Sequence, residues 1–66
     1  MPILRVELWE GRSDEEKAQL IRKLTDATME VIGCPEGAVQ VVIYDLPKAN
    51  WGIGGQNCVN RPSSRR

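Results

Sequence analysis

The chain has 66 residues, with nine Lys and Arg against nine Asp and Glu, so its formal net charge is zero. This length allows one small core of marginal stability, which favours self-association as an additional source of stability. With 41% apolar and 27% charged residues, the composition is typical of a soluble folded domain and excludes disordered and membrane-spanning classes. The balanced charge argues against nucleic-acid binding, and without a recognisable targeting segment the expected compartment is the cytoplasm.

The first element of the chain is a predicted strand. Residues 2–9 alternate apolar and polar side chains, with Leu4, Val6 and Leu8 on one face, which is the period of a half-buried strand. The alternation stops before Gly11. We therefore expect this strand to place one apolar face against the rest of the domain.

A long amphipathic helix is predicted next. Ser13 and Glu16 form a capping-box pattern that makes Asp14 the first helical residue. Gly33 suits the left-handed conformation that follows a last turn, and Pro35 cannot continue a helix. Several apolar residues fall on one stripe at about 100° per residue, and this stripe is expected to face the core. Its members are Leu20, Ile21, Leu24, Ala27, Thr28, Val31 and Ile32.

A second strand completes the predicted framework. It begins at Val39, is rich in β-branched residues and is apolar on both faces. Strand, helix and strand indicate one βαβ unit with parallel strands, an α/β (α+β) fold in a single domain over residues 1–61. Residues 51–55 predict a short C-terminal hairpin or a strand that pairs with another chain, and residues 62–66 predict a disordered tail. Two strands and one helix leave both sheet edges open and one apolar surface uncovered, which also favours self-association.

Histidine is absent from the chain, which limits the chemistry that it can perform. Without imidazole there is no Ser-His or Cys-His nucleophile pair and no histidine-containing metal site, and no metal or nucleotide motif is recognisable. Cys34 and Cys58 could form one disulfide, although we expect packing roles for both. The candidates that remain are the carboxylates, the two cysteines, Tyr44 and the chain terminus.

Arg12 and Pro2 are the two residues with distinctive chemical potential. Arg12 follows the carboxyl end of the first strand, where α/β units bind ligands, and its guanidinium suits a carboxylate or a phosphate. A solvated loop arginine is the equally weighted alternative. Removal of Met1 would make Pro2 a terminal secondary amine, whose pKa would fall in an apolar site or near a cation. The Met-Pro dipeptide alone does not require this function.

Three features at fixed separation carry a family resemblance. Pro2 opens the first strand, a Gly-Arg-Ser-x-Glu block occupies residues 11–15, and an aromatic-Gly-Ile-Gly-Gly block occupies residues 51–55. Together they resemble the 4-oxalocrotonate tautomerase family, without gaps from Pro2 to about Arg61. The resemblance implies a tautomerase-like protomer, with two protomers forming a four-stranded sheet and three such pairs forming a hexamer.

The resemblance also implies a reaction and a set of site residues. The implied activity is that of a cofactor-free isomerase in aromatic degradation, acting on a small carboxylate substrate, an unsaturated 2-keto or 2-hydroxy acid. Pro2, after loss of Met1, is the implied general base, and Arg12 of a neighbouring subunit binds a substrate carboxylate. Trp51 is implied to form the apolar wall that keeps Pro2 neutral, and the backbone amide of Trp9 to hold a substrate oxygen.

Gln40 departs from the family pattern, which has a second arginine at this position. A neutral amide cannot make a charge-assisted bidentate contact, so we expect weak turnover of a dicarboxylate and a preference for a smaller or monocarboxylate substrate. One alternative is a subunit that pairs with a similar chain supplying the missing arginine. Another is a dehalogenase or hydratase of short unsaturated acids, which needs a water-activating carboxylate, and residues 47–55 contain none.

Overall fold

The framework of the protein is a strand, a helix and a second strand. The computed structural model describes residues 1–62, in which β1 (Ile3–Trp9) and β2 (Gln40–Leu46) are parallel and α1 (Asp14–Ile32) connects them. The predicted βαβ unit with parallel strands is therefore confirmed. Within the described residues, no helix is long and apolar enough to cross a membrane.

A short hairpin follows β2, which is one of the two alternatives predicted for residues 51–55. Its strands β3 (Gly52–Ile53) and β4 (Gln56–Asn57) are antiparallel and form a sheet of their own. Single 3₁₀ turns precede β2 and the hairpin, at Glu36–Ala38 and Lys48–Asn50. Of the tail predicted at residues 62–66, all but Pro62 lies outside the described residues.

Local capping interactions set both ends of α1. The Ser13 hydroxyl accepts a hydrogen bond from the Glu16 amide at 3.0 Å, and the Glu16 carboxylate accepts one from the Ser13 amide at 3.1 Å. Gly33 adopts a φ of 80°, and its N–H donates to the Met29 carbonyl at 2.8 Å. The predicted start and end of the helix are confirmed, because both depend on contacts between residues close in sequence.

The register of the sheet determines which residues of β1 form backbone hydrogen bonds with β2 and which face the open edge. The Gln40 N–H donates to the Pro2 carbonyl at 3.0 Å, and the Glu10 N–H donates to the Leu46 carbonyl at 2.9 Å. Backbone groups alternate in direction along a strand, so the even-numbered residues of β1 bond to β2. The N–H and C=O groups of the odd-numbered residues point to the open edge of β1. These residues are Ile3, Arg5, Glu7 and Trp9.

The face of the helix that packs against the sheet differs from the predicted apolar stripe. Its most buried residue is Thr25, which is 7% exposed, whereas Val31 and Ile32 of the predicted stripe are 83% and 62% exposed. The helix lies closer to β2 than to β1, so part of its apolar surface extends beyond the sheet. The result is an open apolar groove of about 290 Å³, lined by Leu4, Leu24, Ala27, Thr28, Val31 and Ile32.

Very little of the protomer is fully buried. Among residues 1–62, only Thr25 and Cys58 are buried, and Cys58 is completely inaccessible. Cys58 and Cys34 are both free thiols, so the disulfide that the sequence allowed is not formed. A protomer with so few buried side chains gains little hydrophobic stabilisation on its own.

An ion pair connects the start of the helix to the end of β2. The Lys17 ammonium donates to the Asp45 carboxylate, and this hydrogen bond raises the pKa of Lys17 above its usual value of 10.5. A second cluster joins Arg22 to Asp26 at 2.6 Å and to Glu36 at 2.9 Å. The Lys17 pair fixes the first turns of α1 over the carboxyl end of the sheet. It therefore lies near the candidate site described below.

We predict that Gly33→Ala lowers the free energy of unfolding by about 1 kcal/mol, because an L side chain is disfavoured at positive φ. Gly37→Ala is the matched control, since Gly37 does not have a positive φ and an added Cβ meets no neighbour at either position. Urea unfolding at one fixed protein concentration compares the two variants. Equal effects of both substitutions would contradict the capping role of Gly33.

The Lys17 pair predicts a specific pH dependence of stability. Because the folded-state pKa of Lys17 is raised, the pair stabilises the fold below about pH 10.5 and loses this effect as the pH rises through the folded-state value. Asp45→Asn should therefore destabilise the protein at neutral pH. Its unfolding free energy should converge with that of the wild type at alkaline pH.

Asp26→Asn provides the control for this titration. This substitution weakens the ion pair of Asp26 with Arg22, whose pKa is raised further above its already high usual value. Arg22 therefore stays protonated from about pH 8 to pH 11.5, and the loss of unfolding free energy in Asp26→Asn should be constant over this range. Urea unfolding across this range measures both differences. A difference for Asp45→Asn that does not shrink at high pH would exclude the Lys17 ion pair as its cause.

Candidate active site

The amino-terminal end of β1 brings Pro2 and Gln40 together. Their backbones share a hydrogen bond of 3.0 Å, and the Gln40 side-chain Nε2 lies 3.3 Å from the Sδ of Met1. While Met1 is attached, the Pro2 nitrogen belongs to a peptide bond and cannot act as a base. Met1 is 83% exposed. Its removal would leave a secondary amine close to a neutral amide side chain.

A cavity of about 230 Å³ lies at the opposite end of β1. It opens between the carboxyl end of the strand and the first turns of α1, where the positive end of the helix dipole favours an anion. Leu8 and Leu20 supply apolar walls, Arg12 and Lys17 supply cations, and Glu16 completes the lining. Apolar walls with a guanidinium suit a small unsaturated carboxylate.

The two tryptophans pack against each other beside the hairpin. Trp9 and Trp51 meet edge to face, with ring centroids 6.0 Å apart and an interplanar angle of 81°. The Lys48 ammonium lies 4.8 Å from the centroid of the Trp9 ring. Lys48 also donates to the Arg61 carbonyl, and its own carbonyl accepts from the Cys58 amide at 3.2 Å. Lys48 thus joins the tryptophan pair to the carboxyl-terminal segment.

The structure adds Glu7 and Asn50 to the residues around Trp51. They line a cavity of about 240 Å³ on the sheet face opposite the helix, together with Leu46 and Gly52. The water-activating carboxylate of the hydratase alternative was expected in residues 47–55, so Glu7 was not among the predicted site residues. The alternation of β1 was the available signal, since it places Glu7 on the face that does not pack against the helix.

The predicted site residues fall into two groups at opposite ends of β1. Pro2 and Gln40 lie at its amino-terminal end. Arg12 lies at its carboxyl-terminal end on the helix side of the sheet, and Trp9 and Trp51 lie at the same end on the opposite face. The strand has seven residues, and a rise of about 3.3 Å for each separates its ends by roughly 20 Å. A small substrate therefore cannot contact both groups within one protomer.

Comparison with known proteins adds evidence from outside the chain. The profile of the Tautomerase enzyme family matches residues 2–61. The 2-hydroxymuconate tautomerase of Comamonas testosteroni is 47% identical over 55 residues, which cover 83% of this chain and 87% of that protein. The 2-hydroxymuconate tautomerase of Stutzerimonas stutzeri is 42% identical over 57 residues, covering 86% and 90%.

Solved structures give the same assignment. TomN, a 4-oxalocrotonate tautomerase homologue of the tomaymycin biosynthetic pathway, superposes with a TM-score of 0.87 at 42% identity, covering 91% of this chain and 92% of TomN. A heterohexamer 4-oxalocrotonate tautomerase from Chloroflexus aurantiacus J-10-fl has a TM-score of 0.86 at 34% identity, covering 94% and 100%. The resemblance that rested on the terminal proline and two sequence blocks is confirmed. The chain belongs to the tautomerase family, in its 4-oxalocrotonate tautomerase group, and is an isomerase.

Proposed function

We propose that the protein is a cofactor-free keto–enol tautomerase that uses Pro2, after removal of Met1, as its general base. Its substrate is an unsaturated 2-hydroxy or 2-keto acid. The observation that carries this proposal is the cavity of about 230 Å³ at Arg12, whose apolar walls and guanidinium fit such an acid. The 2-hydroxymuconate tautomerases among its relatives support the same reaction class. We place this activity in the cytoplasm and in the breakdown of aromatic compounds.

The proposed reaction moves one proton and leaves the enzyme unchanged. The Pro2 nitrogen accepts the proton of the 2-hydroxyl group, so that the oxygen forms the C=O bond and the conjugated double bonds shift. The prolinium then donates this proton to a carbon at the far end of the shifted system. Arg12 binds the carboxylate, Gln40 donates a hydrogen bond to the 2-oxygen, and the backbone N–H of Trp9 offers a second donor.

The aromatic residues set the pKa of the base in this proposal. Trp51 and Trp9 form an apolar surface of packed rings, and an amine against such a surface is poorly hydrated. Poor hydration and a nearby guanidinium both disfavour the protonated amine, so its pKa falls. A secondary amine that is neutral near pH 7 can accept the substrate proton directly.

The proposed site is formed between two copies of the chain. One copy supplies Pro2 and Gln40, and the other supplies Arg12, Trp9 and Trp51, because the two groups lie too far apart in one protomer. The small number of buried residues and the open apolar groove support self-association. We propose a homohexamer built from three pairs. The heterohexamer among its relatives keeps assembly with a similar second chain as the alternative.

We predict that Pro2→Ala lowers kcat/KM for ketonisation of a 2-hydroxydienoate at least about hundredfold, because the secondary amine base is lost. Intact mass must first show that Met1 is absent from the wild-type protein. Pro62→Ala, at an exposed proline beyond the hairpin, is the matched control and should keep full activity. An unchanged rate for Pro2→Ala would exclude Pro2 as the base.

Mixing variants tests whether the site is shared between copies. Pro2→Ala and Arg12→Ala should each be inactive alone, since every site lacks one component. Co-expression should restore about a quarter of the wild-type activity. Half of the randomly formed pairs contain one copy of each variant, and in each of these pairs one of the two sites has both Pro2 and Arg12. A mixture without activity would show that both residues act within one protomer.

Gln40 predicts the charge of the preferred substrate. Gln40→Arg should raise kcat/KM for the dicarboxylate 2-hydroxymuconate relative to a monocarboxylate 2-hydroxydienoate at least about tenfold, since a guanidinium can pair with the second carboxylate. Gln19→Arg on the exposed helix surface controls for added charge. A wild-type preference for the dicarboxylate that Gln40→Arg does not increase would contradict this role.

A further inference from the structure

Lys48 is the residue at which the two tryptophans and the carboxyl-terminal segment meet. Its side chain is partly buried, and its ammonium lies 4.8 Å from the centroid of the Trp9 ring. Its backbone carbonyl accepts hydrogen bonds from the Trp51 N–H at 3.1 Å and from the Cys58 N–H at 3.2 Å. Lys48 therefore contacts both tryptophans, one through its side chain and the other through its backbone.

The segment from Cys58 to Arg61, which we call the carboxyl-terminal strap, is bound to Lys48 at both ends. The Lys48 carbonyl accepts from the Cys58 N–H, and the Lys48 ammonium donates to the Arg61 carbonyl. Within the strap, the Arg61 N–H donates to the Cys58 carbonyl at 3.0 Å, and Cys58 is completely inaccessible. The strap in return holds the Lys48 ammonium at one position over the indole.

No hydrogen bond fixes the orientation of the Trp9 ring within the described residues. Its Nε1 is buried, and no group in that part of the chain accepts a hydrogen bond from it. A buried indole N–H usually has an acceptor, which would hold the ring in place. The orientation of Trp9 depends instead on its edge-to-face contact with Trp51 and on the Lys48 ammonium, since a cation within about 6 Å of an indole centroid is attracted to the ring.

We propose that Lys48 is the positioning residue of the aromatic wall, which is the packed surface formed by Trp9 and Trp51. The ammonium holds the Trp9 ring against Trp51, and the carboxyl-terminal strap holds the ammonium. The proposal rests on the function proposed above, in which this wall lies against the Pro2 amine. It adds a charged residue that acts through the wall and not on the substrate.

The contacts of Lys48 argue against a role as a second anchor for the substrate carboxylate. Its ammonium is occupied by the Arg61 carbonyl and the Trp9 ring, and Lys48 does not line the cavity at Arg12. Removal of its charge should therefore disturb the environment of the base more than the binding of the substrate. In kinetic terms, kcat should change and KM should not.

Circular dichroism tests the position of the wall without reference to activity. Trp9 and Trp51 are the two tryptophans of the chain, and indoles packed 6.0 Å apart couple their electronic transitions and give an exciton couplet. Lys48→Met keeps a long side chain without charge and should lower the amplitude of the couplet at least about twofold. Lys48→Arg retains a cation that stacks on indoles and should keep most of the couplet. Trp9→Phe gives the spectrum without the couplet.

Thiol labelling tests the carboxyl-terminal strap. In a Cys34→Ser background Cys58 is the remaining thiol, and it is buried. Lys48→Met should raise its rate of labelling by a soluble thiol reagent at least about tenfold, because the strap opens more often. Lys48→Gln keeps a donor for the Arg61 carbonyl but no charge, so it should lower the couplet and leave labelling slow. Lys23→Met, on the exposed surface of the helix, is the control and should resemble the wild type in both measurements.

Kinetics then connects the wall to the proposed reaction. Lys48→Met should lower kcat for a 2-hydroxydienoate at least about threefold and change KM less than about twofold, and Lys48→Arg should restore kcat. A helical circular dichroism signal equal to that of the wild type shows that each variant is folded.

Three results would overturn the proposal: an unchanged couplet in Lys48→Met, an equal loss of the couplet in Lys48→Arg, or a raised KM with unchanged kcat. The couplet and the labelling rate do not depend on catalysis. They therefore test the position of Lys48 independently of whether Pro2 is the base.

Discussion

One helix cannot cover two strands, and this shortage of covering surface determines the rest of the molecule. The helix lies over β2 and leaves apolar groups on β1 and on its own flank in contact with solvent. Only two of the described residues are buried, so hydrophobic stabilisation must come largely from contacts between protomers. The fold is therefore completed by association, and the proposed catalytic site at the junction of protomers follows from the same geometry.

The two ends of β1 divide the chemistry of the candidate site. The amino-terminal end carries the proposed base, Pro2, beside a neutral donor, Gln40. The carboxyl-terminal end carries the cations Arg12 and Lys17 near the start of a helix. The hydrogen bond with Asp45 holds Lys17 at the wall of that cavity and reduces its capacity to bind a second anion. The pairing of Lys17 and the neutral amide of Gln40 are both consistent with the monocarboxylate substrate proposed above.

Features that depend on contacts close in sequence were predictable, whereas features that depend on contacts distant in sequence were not. The capping box at Ser13 and the left-handed Gly33 were predictable because their partners lie within four residues. The helical stripe was only partly right, since the helix is rotated towards Thr25 by its position over β2, and that position depends on contacts distant in sequence. The alternation of β1 indicates that Glu7 faces away from the helix, but its place beside Trp51 depends on where the hairpin folds back against the sheet and was therefore not predicted.

The proposed homomeric assembly and its heteromeric alternative explain Gln40 in different ways. In a heteromer, a second chain would supply the charge that Gln40 lacks. In a homomer, every site would carry the neutral amide, and the proposed preference for a monocarboxylate would follow from it. The cavity at Arg12 and the amide of Gln40 belong to one sequence, so two copies of this chain would complete the proposed site without a second chain.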